Sequence, residues 1–189
     1  MPIEANYETY YGIKLEHYTY SWGGITYGGP NTIHYGILVK EFPDEYLVSV
    51  PTTDANSMSF LYPRPIVPKG YIDGTAEGHF SVYNVHSSTT STVTSYTVAL
   101  KKTNDVPSNE TTLGSYSATL STASEVLPED YLNLPFYIQL VEQELNAEEK
   151  LILYITWHGT DEDNLCFSHE NDSNIIDIKI KVPFAPEGY

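Results

Sequence analysis

Leu151-Ile152-Leu153-Tyr154-Ile155-Thr156-Trp157 is the stretch that decides the fold class. A β-strand sends successive side chains to opposite faces. A run that is apolar at both parities therefore asks for cover on both faces, as a central strand has. On either side the pattern becomes alternating. Upstream, Phe136, Ile138 and Leu140 mark one strand, Tyr116, Ala118 and Leu120 another, and Tyr96, Val98 and Leu100 a third, interleaved with Ser and Thr. Phe80, Val82, Tyr83 and Val85 mark the first of this series. Downstream, Ile176, Ile178, Ile180 and Val182 alternate with Asp177, Lys179 and Lys181, so one face is apolar and the other charged.

Turn-forming clusters separate these strands at residues 84–90, 103–109, 121–130 and 159–164. Val141 to Lys150 is the one segment read as capable of helix. The expectation is an all-β chain: an antiparallel β-sandwich, jelly-roll-like, over residues 71–189.

The sandwich is preceded by a stiff connector. Tyr62-Pro63-Arg64-Pro65-Ile66-Val67-Pro68-Lys69-Gly70 holds three prolines within six residues, and proline fixes φ and removes a backbone donor. Residues 62–70 are accordingly read as a boundary. Residues 1–61 form either an extended N-terminal arm or the first hairpins of the sheet. The first 36 of these are rich in Tyr and Gly, with turns expected at Gly23-Gly24 and Gly28-Gly29-Pro30. Strands are expected over residues 13–20, 35–40 and 46–50.

Composition narrows the function. The 189 residues carry 25 acidic against 9 basic side chains, a net charge of −16. Nucleic-acid affinity comes chiefly from Lys and Arg on phosphates, so nucleic acid is excluded as a partner, and anionic membrane surfaces with it. Arg64 is the only arginine, which rules out an arginine cluster for phosphate recognition. No run of about 18 apolar residues exists to span a membrane. Met1-Pro2-Ile3-Glu4 does not begin a basic-then-apolar leader, so synthesis in a cytoplasm is expected. Cys166 stands alone, giving no internal disulfide and no thiolate metal cluster. It reads as a small buried apolar residue.

No nucleophile elbow, zinc-binding His-Glu-x-x-His or phosphate loop is present. No cofactor is expected, and the chain is read as non-enzymatic. The 25 acids make a glycosidase pair easy to imagine and impossible to single out by sequence. Two clusters carry candidate chemistry. Asp161, Asp163 and Asn164 offer hard oxygen ligands for calcium, against the alternative of an acidic loop facing water; no EF-hand glycine or glutamate completes the set. Tyr7, Tyr10, Tyr11, Tyr18, Tyr20 and Trp22 offer aromatic anchors for a protein partner or a sugar, against packing on the chain's own sheet.

The Ser/Thr-rich strands of residues 87–100, and the succession from Phe136-Tyr137-Ile138 through Ala147-Glu148-Glu149-Lys150 to Leu151–Gly159, resemble the β-sandwich and jelly-roll proteins of virus particles, particularly tailed phages. The resemblance covers residues 71–183. It implies a virion structural protein, a capsid decoration or minor capsid component, that is located in the virion and forms homo-oligomers. Its partners would be other virion proteins, the major capsid protein above all, with the N-terminal segment reaching a neighbour. The alternatives from the residues are a carbohydrate-binding or adhesion module and, third, a glycan-acting enzyme. Under the arm reading, removing residues 1–36 would leave residues 71–183 folded.

Overall fold

The computed structural model describes residues 6–13, 20–27, 34–40, 52–53, 55–64, 70–104, 109–146, 148–168 and 178–186. Residues 14–19 of the strand expected over 13–20, the strand expected over 46–50, and the prolines at 65 and 68 lie outside them.

Thirteen strands are described: β1 (Asn6–Ile13), β2 (Tyr20–Trp22), β3 (Ile25–Tyr27), β4 (Tyr35–Val39), β5 (Thr52–Thr53), β6 (Ser57–Leu61), β7 (Gly70–Asn84), β8 (Ser91–Thr103), β9 (Thr111–Val126), β10 (Tyr131–Leu145), β11 (Lys150–Thr160), β12 (Leu165–Ser168) and β13 (Ile178–Pro186). The chain is all-β, as its alternating side chains require. Eleven strands form one sheet, in the order β5-β12-β7-β13-β1-β4-β6-β11-β8-β9, with β10 added on β7. The β4–β6 pair is parallel, so the sheet is mixed where a purely antiparallel one was expected. Its ends come together: Gly114 of β9 packs on Ile138 and Gln139 of β10, and the rings of Tyr116 and Tyr137 meet edge-on at 6.4 Å. The sheet thus curls until it is nearly closed around its apolar face.

That face is a single core. Ile72, Ala76, Phe80 and Val82 of β7, Leu134, Phe136 and Ile138 of β10, and Ile178, Ile180 and Val182 of β13 are all buried in it. They meet Leu151, Leu153, Ile155 and Trp157 of β11. The remaining apolar position of β11, Ile152, points the other way, into a second cluster with Tyr27, Ile37 and Leu61. There the β2–β3 ribbon, a separate two-stranded sheet, lays Tyr20, Trp22 and Ile25 over the outside of the large sheet. This explains why the run 151–157 is apolar at both parities: one parity faces the main core and the other lies under a ribbon.

β1, β4 and β6, all N-terminal to the proline-rich stretch, belong to the same sheet as the strands that follow it. β1 joins β13 to β4. Phe60 of β6 fits only because its neighbours lack side chains, since a Cβ on Gly36 would sit 2.4 Å from the Phe60 ring.

The segment read as capable of helix is strand and turn instead. β10 runs on to Leu145, and a tight turn leads into β11. Glu149 closes that turn: it accepts the Asn146 N–H at 2.7 Å and pairs with Lys102 at 3.1 Å. Lys102 also donates to the Glu144 carbonyl at 2.8 Å. Residues 121–126, expected as a turn, complete β9.

Two consequences are testable. Gly78 lies where β7 meets β13, and a Cβ there would stand 2.0 Å from the Lys179 carbonyl and 2.6 Å from Phe136. Gly78→Ala should therefore destabilise the fold by about 2 kcal/mol, read from urea unfolding. The second concerns alkaline pH. Burial first, then Tyr116 beside it, pushes the Tyr96 phenol up to about 12. Burial and the Glu110 carboxylate do the same to Tyr27, also to about 12. An unfolded tyrosine loses its proton near pH 10. The native state thus holds protons that the unfolded chain releases, so stability is intact below about pH 10 and falls as pH rises through the window up to about 12. In Tyr96→Phe the decline of the urea midpoint between about pH 9 and 12 should be shallower than in the parent.

Candidate functional site

Of the six N-terminal aromatics, the five described do not converge. Tyr10 points inward and is 1% exposed. Its hydroxyl donates to Glu8 at 2.6 Å, and its ring meets Tyr62 edge-on at 5.1 Å. Burial, reinforced by Glu8, holds its phenol far above the ordinary range. Tyr7 and Tyr11 lie on the opposite, outward parity of β1, Tyr7 exposed and Tyr11 half-buried. Tyr20 and Trp22 sit on the β2–β3 ribbon, half-buried, with the Lys150 ammonium 5.0 Å from the Trp22 ring. Tyr18 lies outside the described residues.

The acidic loop is organised around a residue that sequence reasoning passed over. Asp161 adopts the left-handed conformation (φ 53°) and leads into a single 3₁₀ turn, Glu162–Asn164. Glu162 folds back to accept the Gly159 N–H at 2.8 Å and the Asn56 amide at 3.2 Å. Asn164 closes the turn on the Asp161 carbonyl at 3.0 Å. Among the described residues no group of three or more His, Cys, Asp or Glu is placed to hold a metal ion. Glu162→Ala should cost about 1–2 kcal/mol of stability in thermal or urea unfolding, because a buried-edge N–H and the Asn56 amide lose their acceptor.

The site that the fold does assemble lies on the outward face of β10, β7 and β13. In these strands the parity opposite the core projects a compact set of polar and aromatic groups. The register sets Tyr137, Glu77 and Lys181 in one row across the three strands, and Pro135, His79 and Lys179 in the next. Asn133 follows, opposite Ser81. With Gly78 these side chains line a shallow open groove of about 310 Å³. Its two outer strands are about 10 Å apart, two strand spacings.

Several contacts hold the groove in shape. Tyr137 is 55% exposed and leans on Tyr116. Pro135, which has no N–H to give, is tolerated because, among the described residues, β10 pairs only with β7. Its carbonyl accepts the Tyr96 hydroxyl from within, at 2.5 Å. Lys181 and Glu77 form an open ion pair at 3.6 Å. The Lys179 ammonium stands 5.8 Å from the Tyr11 ring on the next strand. Chemically, the groove offers one exposed aromatic face, hydrogen-bond donors from Asn133 and the lysines, and one carboxylate acceptor. Sequence reading had noted Lys179 and Lys181 as the polar face of their strand, but nothing in the sequence brings them beside residues 77–79 and 133–137.

Nucleophilic chemistry finds no such assembly among the described residues. Ser88 Oγ is 3.4 Å from His86 Nδ1, yet that nitrogen already accepts the N–H groups of Ser88 and Thr89, at 3.2 and 3.0 Å. His86 therefore folds its own turn instead of serving as a base. Cys166 is buried, with its thiol directed at the Tyr83 carbonyl.

The chain matches no sequence family and no curated protein. Its fold, however, has counterparts. It is similar to a CocE/NonD family hydrolase from Staphylococcus aureus in two crystal structures, with TM-scores of 0.56 and 0.57 at 9% and 10% identity. The match covers 97% and 98% of this chain but only 37% of the hydrolase chain in each.

The likeness corrects the virion reading. The two solved structures it resembles are of a hydrolase, not of a capsid component, so the expectation of a capsid decoration or minor capsid protein does not stand. The physical reason is that the resemblance rested on strand texture. Ser/Thr on one parity and apolar residues on the other encode which face meets water, not what the protein assembles with.

Proposed function

We propose that this chain is a binding module of hydrolase-type fold that carries no catalytic site of its own, and that it holds a polyhydroxylated, carbohydrate-type ligand in the β10–β7–β13 groove. The observation that carries this reading is the exposed Tyr137 ring beside Glu77, His79 and Asn133. A sugar ring presents an apolar face and a rim of hydroxyls. Tyr137 supplies a flat apolar surface, and its neighbours supply donors and acceptors at the rim. Rigid strands hold all of them, so little ordering is needed on binding.

The share of the hydrolase chain that is matched supports the same reading. This chain spans about a third of that protein's length, and the activity of the whole hydrolase is not carried over to a part.

Isothermal titration with neutral galacto- and gluco-oligosaccharides tests the proposal. Binding should be detected, and Tyr137→Ala should weaken it about tenfold, or about 1.4 kcal/mol, with an unchanged melting temperature because the ring is largely exposed. An unchanged affinity in Tyr137→Ala would move the ligand elsewhere. A panel that shows no binding at millimolar ligand sinks the reading.

A further inference from the structure

Resting on that reading, we infer that the groove selects an acidic saccharide, a polyhydroxylated ring that bears a carboxylate, and that Lys179 receives this carboxylate.

The inference begins with how the lysines are used. In a chain with 25 acids and 9 bases, a positive charge ordinarily finds a negative neighbour. Lys40 pairs with Glu8 at 2.8 Å, Lys101 with Glu110 at 2.7 Å, Lys102 with Glu149 at 3.1 Å and Lys181 with Glu77 at 3.6 Å. Among the described bases Lys179, Lys150 and Arg64 depart from the pattern. Among the described residues Lys179 has no carboxylate partner, and its ammonium is steadied over the Tyr11 ring instead. Lys150 is placed similarly over Trp22, but on the β2–β3 side and outside this groove.

The surroundings of Lys179 add to this. The groove holds two lysines against one glutamate, a local excess of positive charge on a molecule of net charge −16. The longest ion pair of those four, Lys181–Glu77, is in the same groove, with both side chains close to half exposed. Such an exposed pair contributes little and rearranges readily, so Lys181 is available to turn toward an incoming anion. The repulsion from distant acids does not prevent this, because charges beyond about 8–10 Å are screened at ordinary ionic strength. An ammonium held over a ring, with a second lysine one row away and an aromatic platform across the groove, is complementary to a ring with one acidic substituent. A neutral sugar would use Tyr137 and leave Lys179 idle.

The test compares a galacturonic acid trimer with the neutral galactose trimer, both by isothermal titration of the intact chain. At low salt the acidic trimer should bind at least tenfold more tightly, and raising sodium chloride to 0.5 M should remove most of that preference. Lys179→Met should bring the acidic trimer to the affinity of the neutral one. Lys150→Met, which removes the equivalent lysine outside the groove, should alter neither. Equal affinity for the two trimers in the parent, or a preference that survives Lys179→Met, overturns the inference while leaving the carbohydrate reading intact. If neither trimer binds, it is that underlying reading which fails.

Discussion

β7 is paired along much of its length on both sides, by β10 on one and by β13 and then β12 on the other. Because its side chains alternate, this one register does two jobs. It sends Ile72, Ala76, Phe80 and Val82 into the core and Glu77 and His79 to the outward groove. A slip of a single residue would exchange the two sets. The register is held by fit as well as by hydrogen bonds. Gly78 has no side chain, and the Phe136 ring and Lys179 carbonyl occupy the space one would fill. Core packing and groove geometry are therefore consequences of a single alignment.

The closure of the sheet follows from the same strands. β7 brings β13 beside it, β13 brings β1, and β1 brings β4, so strands from both ends of the chain lie side by side. Most of the contacts that matter are thus far apart in sequence. Tyr10 of β1 meets Tyr62, and Tyr96 reaches the Pro135 carbonyl beneath the groove. Asn84, fully buried, donates to the Thr89 and Val126 carbonyls and accepts the His86 N–H, tying the ends of three strands together.

Much of the fold was legible residue by residue, and the errors have identifiable causes. The alternation around Phe80, Val98, Ile138 and Ile180 was correctly read as strand because each lies on a ladder with one face buried. Val141 to Lys150 was misread as capable of helix. Its residues suit helix locally, but pairing of Gln143, Glu144 and Leu145 with β7 outweighs that preference. The parallel β4–β6 pair was invisible, since strand direction is set by where the intervening chain travels. Glu162 was overlooked between Asp161 and Asp163 because three neighbouring acids look alike until one of them turns back onto Gly159. Tyr10 and Tyr11 illustrate the limit most simply: adjacent tyrosines of one strand fall on opposite faces, and only Tyr10 is buried in the core.

The amino-acid sequence by itself determined the class of structure, the central place of residues 151–157, the single cysteine, the single arginine and the absence of a phosphate-loop motif. These are properties of composition and of a two-residue period, which are local. What gathers around the groove was decided only by the tertiary structure. Glu77, Tyr137 and Lys181 are remote in the chain and adjacent in space because β7 stands between β10 and β13 in a fixed register. Long-range strand order leaves no mark in the period of any one strand, so no reading of single segments reveals it.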